Sequence, residues 1–203
     1  MIMGIIAVLT TISDENIEKV CQCPLLVWKI ISPNDSEIFE EQMKQKNKRS
    51  FIGRLFRKKI PENIFPEIRL RDGEGSDTDA DKAWHGIHYL LTKTDRDGEF
   101  PLDFLLAGGE ELKDVEVGYG HPRILRSSQV RRINEALSEV DDNFLKYRFD
   151  AADMMKKNIY PEIWDRDPSE DDTLGYILEQ YSRLKAFIHK ASENDFGLIV
   201  TML

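Results

Sequence analysis

The sequence contains few of the features that mark secreted or membrane proteins. Only two of its 203 residues are cysteines, and Cys21 and Cys23 stand at a spacing where a disulfide would be strained and would close almost no loop. The apolar runs are far shorter than the roughly 20 residues that cross a bilayer. The first residues, Met1 to Ser13, lack the basic segment and the small-residue cleavage site of a signal peptide. These absences predict a cytoplasmic protein without a transmembrane segment.

The sequence also lacks the motifs of known catalytic centres. It contains no Gly-x-Ser-x-Gly nucleophile elbow, no P-loop and no dinucleotide-binding fingerprint. A zinc site requires three or four ligands at ordered spacings, and the Cys-x-Cys pair has no second pair to complete it. We therefore expect no metal and no cofactor. The leading interpretation is that the protein is not an enzyme.

Positive charge is scarce, and it is unevenly distributed. The chain has 37 acidic and 28 basic residues, which gives a net charge of -9. Because lysine and arginine supply most of the affinity for phosphate backbones, this balance opposes general nucleic-acid binding and favours a basic protein partner. The stretch 42–60 nevertheless has no acid and holds eight basic residues: Lys44, Lys46, Lys48, Arg49, Arg54, Arg57, Lys58 and Lys59. The other 20 basic residues stand against all 37 acids.

Two interpretations of this basic segment are open. Its apolar residues Phe51, Ile52, Leu55 and Phe56 would line one side of a short helix, so the segment can be a solvated insertion that packs an amphipathic helix on the body. It can also be a docking surface for an anionic partner. A membrane or an RNA is the less favoured partner, because the rest of the chain is negatively charged.

Hydrophobic periodicity and capping residues predict alternating strands and helices. Residues 4–12 form an apolar, β-branched strand, and Ser13 can cap a helix after it. Further helices are expected over 82–91, after Ser127 or Ser128, and from near Ser169–Asp172 onwards, and residues 198–203 form a continuous apolar strand. We predict one α/β domain over 1–203. Its expected architecture is a three-layer α/β/α-type sandwich with a mixed sheet, in which the buried N- and C-terminal strands are neighbours.

Several motifs in the second half of the chain carry a family resemblance. They are the stretch Lys82 to Thr92, which reads Lys-Ala-Trp-His-Gly-Ile-His-Tyr-Leu-Leu-Thr, the Phe104–Gly109 block, the Val117–Gly120 turn, and Ile159-Tyr160-Pro161 with Trp164. With these motifs the chain from Asp79 to Leu203 resembles the bacterial YfbM-like family. The resemblance implies a three-layer α/β/α-type fold and no established reaction. An insertion of roughly 33–75 departs from the family pattern, so a function of its basic segment would be particular to this protein.

One group of residues is a candidate pocket. His85 and His88 lie three residues apart on one helix, a spacing that suits a metal or acid–base site, although both rings can equally be packing residues. The Gly108-Gly109 pair predicts a tight turn, and a Gly- and Pro-rich loop follows it. A cleft between these segments would be lined by Trp84, His85, His88, Gly108, Gly109, Tyr119, His121 and Arg123.

A second group is a candidate protein-binding surface, where a tryptophan stands among acids. It comprises Trp164, Asp165, Asp167, Glu170, Asp171 and Asp172. The acids can simply favour the start of a helix, or the group can meet a basic protein. The leading functional hypothesis is a non-enzymatic protein-binding module, and its specific version is an immunity protein that neutralises a toxin domain. The alternative is a small enzyme or ligand-binding domain with its pocket around His85, His88, Tyr119 and Arg123.

Overall fold

The computed structural model describes residues 4–49 and 65–203, which form five strands and eight α-helices. The strands are β1 (Ala7–Ser13), β2 (Asp77–Asp79), β3 (Glu110–Glu111), β4 (Arg123–Leu125) and β5 (Phe196–Met202). The helices are α1 (Asp14–Gln22), α2 (Trp28–Ile31), α3 (Ser36–Arg49), α4 (Trp84–Thr92), α5 (Ser127–Ser138), α6 (Asp142–Arg148), α7 (Ala151–Lys156) and α8 (Thr173–Glu193). Two short 3₁₀-helices, Pro24–Val27 and Asp81–Ala83, precede α2 and α4.

The strands form one sheet in the order β2-β1-β5-β4-β3, so the first and last strands are neighbours at its centre, as the sequence predicts. β1 pairs with β5 from Ala7 opposite Met202 to Ser13 opposite Phe196. Every pairing between the named strands is antiparallel, which corrects the prediction of a mixed sheet.

The antiparallel direction of β5 follows from the helices that precede it. Tyr181, near the middle of α8, reaches the carbonyls of Leu137 and Val140 at the end of α5, whereas Arg131 near the start of α5 contacts Asp195 just after α8. The two helices therefore run in opposite directions. A chain that leaves β4, passes along α5 and returns along α8 enters the sheet antiparallel to β4.

Alternate residues of the central strands belong to two separate apolar clusters. Leu198 and Val200 of β5 pack with α4, α5 and α8, whereas Ile199 packs with α1 and the Pro24–Val27 turn. Because successive side chains of a strand point to opposite faces, each face of the sheet has its own apolar cluster. This explains why β5 is continuously apolar: both of its faces are covered.

The glycine- and aspartate-rich loop between α3 and β2 is fixed by a buried carboxylate. Glu74 is only 7% exposed. One of its oxygens accepts hydrogen bonds from the Ser13 backbone N–H, the Ser13 hydroxyl and the Asn16 amide, at 2.7 to 2.8 Å, and the other accepts from the Arg71 N–H at 2.9 Å. Burial by itself raises the pKa of this carboxyl, but the hydrogen bonds outweigh it and the pKa is lowered. The loop is thereby attached to the junction of β1 and α1.

Candidate functional site

His85 is a packing residue whose two ring nitrogens both have partners. Its Nδ1 accepts a hydrogen bond from the Tyr160 N–H at 3.0 Å, so the proton is on Nε2, which donates to the Asp95 carbonyl at 2.6 Å. Burial lowers the pKa of this ring. The neutral imidazole therefore joins α4 to the 95 loop and to the Tyr160 segment, and has no nitrogen left for a metal or a substrate.

The neighbouring Trp84 has a similar structural role. Its ring stacks on His85 with centroids 4.9 Å apart and on Tyr160 at 5.6 Å, and its Nε1 donates to the Ile5 carbonyl at 2.9 Å. The Tyr160 hydroxyl accepts from the Ile5 N–H at 2.9 Å. This aromatic stack therefore holds the residues before β1 against the helical core.

His88 is sealed inside the protein. Its side chain is 0% exposed, and neither ring nitrogen has a hydrogen-bond partner among the described residues. Burial, with a smaller contribution from His85, lowers the pKa of His88 to about 4. The ring is therefore neutral at neutral pH and out of reach of any solute.

We predict that His88 makes the protein sensitive to acid. As the pH falls from about 6.5 to about 4, the unfolded chain takes up a proton on this ring and the folded chain does not, so the free energy of unfolding decreases. A shift of this size corresponds to a loss of about 3 kcal/mol. In urea unfolding across this pH range, His88→Leu should remove most of that dependence. The part of the pH dependence that remains comes from His85, whose pKa is also lowered.

A matched control is available on α8, where His189 is exposed. His189→Leu replaces an exposed ring that lies 3.4 Å from Glu193, and it is the comparison for loss of a histidine that is not buried. An unchanged dependence in His88→Leu would show that His88 is not sealed in solution.

The side chain of Arg123 holds the loop before β3 by donating to backbone carbonyls of that loop. Its Nη1 donates to the carbonyls of Phe104, at 3.1 Å, and Gly108, and its Nη2 donates to the carbonyl of Leu105. Burial lowers the pKa of this guanidinium to about 10. Gly109 follows with φ +94°, and a Cβ there would lie 2.5 Å from the Ile124 carbonyl oxygen. The Gly108-Gly109 pair is thus a tight turn against β4, as its sequence predicts.

The last two residues of the candidate pocket lie in the turn that precedes β4. The Nδ1 of His121 lies 2.7 Å from the Val115 carbonyl, so this ring closes the turn. Tyr119 is the only one of the eight with a largely free side chain, 59% exposed. The structure therefore does not assemble the eight residues around an open cleft. A cavity of about 360 Å³ exists elsewhere, between the 72–77 loop and α8, and none of the eight lines it.

The predicted surface role of Trp164 is wrong, because its indole is in the core. The side chain is 1% exposed, its Nε1 donates to the Ile159 carbonyl at 2.6 Å, and its ring lies so close to Gly86 that a Cβ there would come within 2.9 Å of it. This contact explains the glycine of the Trp-His-Gly motif. A sequence crowded with acids suggested exposure, but the ring turns inward between α4 and α8.

The acids around Trp164 mostly have local partners. Asp172 caps α8 by accepting from the Gly175 N–H at 2.8 Å, Asp171 pairs with Arg166, and Asp167 accepts from the Ser169 N–H and hydroxyl. Asp165 and Glu170 are exposed. The group therefore matches the simpler interpretation, a capped helix start, better than that of an anchored binding surface.

Little of the predicted basic surface falls within the described residues. Lys44 is exposed on α3, with its Nζ 3.7 Å from Glu40. Lys46, Lys48 and Arg49 belong to the same helix by their backbone. Arg54, Arg57, Lys58 and Lys59, with Phe51, Ile52, Leu55 and Phe56, lie outside the described residues.

Residues 4–49 and 65–203 contain neither a metal-binding cluster of side chains nor a membrane-spanning helix. These residues bring together no group of three or more histidine, cysteine, aspartate or glutamate side chains that could hold a metal ion. None of their helices has the length and apolar character needed to cross a bilayer.

The surface that the sequence did not single out is the hairpin formed by residues 110–125, which we call the acidic hairpin. β3 pairs in it with β4, Glu110 opposite Ile124 and Glu111 opposite Arg123. Apolar side chains of the hairpin are buried in the cluster on the α1 side of the sheet, namely Leu112, Val115 and Val117. The acids between them are exposed, namely Glu110, Glu111, Asp114 and Glu116. The alternation of apolar and acidic residues is visible in the sequence, and it could have indicated this surface.

Comparison with known proteins identifies the family. No curated protein matches this chain. Among solved structures it is similar to YfbM of Escherichia coli, a protein of unknown function, at 15% identity with a TM-score of 0.62, over 98% of this chain and 99% of that one. At this identity the likeness shows the fold alone. The model of a domain of unknown function, DUF1877, matches residues 3–201, and the chain therefore belongs to the DUF1877 family.

Proposed function

We propose that this protein is a non-enzymatic binding module that captures a basic protein through its acidic hairpin. The observation that carries the proposal is a set of four exposed carboxylates that form no ion pair within residues 4–49 and 65–203, on a rigid support beside an exposed tyrosine. The support for each part comes from the contacts of the hairpin.

The carboxylates of the hairpin form a group without ion pairs. Some exposed acids in other parts of the described chain are paired, as Glu18 is with Arg126 and Asp195 with Arg131. Within the same part of the chain no ion pair involves Glu110, Glu111, Asp114 or Glu116, and Lys113 is the one exposed basic residue among them. Unpaired charge of one sign attracts a partner of the other sign and selects against like-charged ones.

The hairpin is held in place before any partner arrives. The Leu112 N–H donates to the Pro122 carbonyl, the Val117 N–H to the Gly120 carbonyl and the Tyr119 N–H to the Met202 carbonyl, each at 2.8 Å. Three apolar side chains anchor it in the core. A surface that is already ordered loses little conformational entropy on binding, which favours affinity.

Tyr119 supplies an apolar anchor next to these charges. Its side chain is 59% exposed, and Leu203, which is 41% exposed, packs close to the adjacent Gly118. Exposed tyrosines are enriched among the residues that dominate binding energy at protein interfaces. The hairpin thus has the acid-and-aromatic composition that the sequence suggested for Trp164.

An immunity protein is the specific form of this role that we favour. A nuclease or transferase toxin binds an anionic substrate in a basic cleft, and a rigid acidic hairpin would occupy such a cleft by charge complementarity. The alternative, an enzyme or ligand-binding domain around His85, His88, Tyr119 and Arg123, has less support. The polar atoms of His85 and Arg123 are engaged, and His88 is sealed.

The proposal predicts a salt-sensitive complex that depends on the hairpin. The tagged chain should retain one basic protein from the native lysate, or the product of the adjacent reading frame on co-expression. A variant with Tyr119→Ala, Glu111→Gln and Glu116→Gln should lose about 100-fold or more in affinity, as loss of an interface anchor together with two charges implies.

The matched control is Tyr147→Ala with Asp165→Asn and Glu170→Gln, because Tyr147 is 92% exposed on α6 and both acids are exposed. This variant should bind as the wild type does. Equal retention by the two variants, or no partner at physiological salt, would contradict the proposal.

A further inference from the structure

A cavity between the 72–77 loop and α8 has the features of a small-molecule site. Its volume is about 360 Å³, within the range of about 300 to 1,000 Å³ typical of ligand pockets. One wall is the 72–77 loop with Thr11 of β1, and the other is the C-terminal half of α8. It is separate from the acidic hairpin, and none of the hairpin residues lines it.

The loop wall is fixed in place. Besides the four hydrogen bonds to Glu74, the Thr11 hydroxyl donates to the Gly73 carbonyl at 2.7 Å, and the Gly75 N–H donates to the Thr11 carbonyl at 2.9 Å. Gly73 has φ +80°, and a Cβ there would touch the Phe196 ring. The Gly73 backbone thus approaches the Phe196 ring closely. The cavity is present without a ligand.

The two walls carry charges of opposite sign. Asp72 and Asp77 belong to the loop wall, and Lys190 belongs to the helix wall. All three are exposed, and no ion pair within the described residues involves any of them. A ligand in the cavity therefore has carboxylates on one side of it and an ammonium on the other.

The rest of the lining is partly apolar. Phe187, Ala191 and Phe196 supply the apolar part, and Ala191 and Phe196 are nearly completely buried. Thr11, Gly73, Ser76 and Asn194 complete the lining. The Arg71 guanidinium lies 4.7 Å from the centroid of the Phe196 ring, which adds a second positive charge near the cavity. The surroundings thus hold two positive and two negative side chains.

We propose that this cavity binds a small zwitterion, an α-amino acid with an apolar side chain. Asp72 and Asp77 receive its ammonium, Lys190 receives its carboxylate, and Phe187 and Phe196 pack on its side chain. Charge-assisted hydrogen bonds at both ends select this class. A purely cationic ligand would leave its apolar end against Lys190, and a purely anionic one would face two carboxylates.

The test is binding of L-phenylalanine and L-leucine to the full chain, measured by calorimetry and by NMR titration. We expect saturable binding of at least one of them. The analogues that lack one charge, 2-phenylethylamine and 3-phenylpropanoate, should bind about tenfold more weakly, and glycine, which lacks the apolar part, should bind weakly too.

Variants assign the two ends of the ligand. Lys190→Met should weaken amino-acid binding about tenfold but should not weaken binding of 2-phenylethylamine, which has no carboxylate, whereas Asp77→Asn should weaken both. Lys146→Met, an exposed lysine on α6, is the control and should bind as the wild type. Thermal unfolding checks that each variant is folded.

The proposal is overturned if neither amino acid binds at up to about 10 mM, the weak end of the affinity scale. It is also overturned if Lys190→Met and Lys146→Met bind alike, or if either analogue binds as tightly as the amino acid. None of these outcomes bears on the acidic hairpin, so the two proposals fail separately.

Discussion

Arg123→Met should lower the free energy of unfolding by about 4 kcal/mol. The guanidinium is the donor for the carbonyls of Phe104, Leu105 and Gly108, and a methionine of similar length leaves all three without it. Each buried polar group that loses its partner costs about 1 to 3 kcal/mol. Urea unfolding at neutral pH measures the loss. Arg123→Lys should recover only a small part, because one ammonium cannot reproduce the planar fork of the guanidinium.

Arg131→Met is the matched control for this substitution. Arg131 is about half exposed and pairs with Asp195 on the surface, where an ion pair contributes roughly 0 to 1 kcal/mol. A similar loss in both variants would show that Arg123 acts only as a surface charge. A large loss in Arg123→Met alone would establish it as the support of the 104–108 loop.

Glu74→Gln should destabilise the protein by about 3 kcal/mol at neutral pH. The carboxylate accepts from Ser13, Asn16 and Arg71, and an amide replaces one acceptor oxygen by a donor that faces N–H or O–H groups. Hydrogen bonds to a charged group contribute about 1.5 to 3 kcal/mol each, and more than one is lost. Glu99→Gln, at an exposed position, should change stability little.

The effect of Glu74 should also depend on pH. Because its folded pKa lies below the ordinary value of 4.5, its contribution is complete above that value and is lost as the pH falls through the folded pKa. The difference in unfolding free energy between wild type and Glu74→Gln should therefore shrink below about pH 4.5. A difference that stayed constant in acid would mean that the carboxylate is not the stabilising species.

Much of the fold is predictable because its signals are local. The apolar runs of β1 and β5 and the Ser13 cap of α1 are where the sequence places them, and α8 begins beside the acid-rich segment that was predicted to start it. The direction of strand pairing is not a local property. It depends on how α5 and α8 pack against each other, and the expectation of a mixed sheet was wrong for that reason.

The candidate sites were harder to predict because burial of polar and aromatic residues is decided by distant contacts. Charge patterns suggest solvated side chains, yet Glu74 is buried, Arg123 is half-buried, and each holds a loop. Acids around Trp164 suggested exposure, whereas Gly86 on α4 makes room for its ring. For His85 and His88 the sequence offered two interpretations, and the partners of the ring nitrogens favour packing.

The central position of β5 has a consequence for how the chain folds during synthesis. β5 lies between β1 and β4, so the β1–β2 pair and the β3–β4 pair are joined only through a strand made more than 70 residues after β4. Until that strand leaves the ribosome, the β1–β2 pair and the β3–β4 pair cannot join into one sheet. Pairing over such sequence distances is slow and exposes strand edges meanwhile. We therefore expect nascent copies of this protein to expose unpaired strand edges for longer than a domain built from adjacent hairpins would.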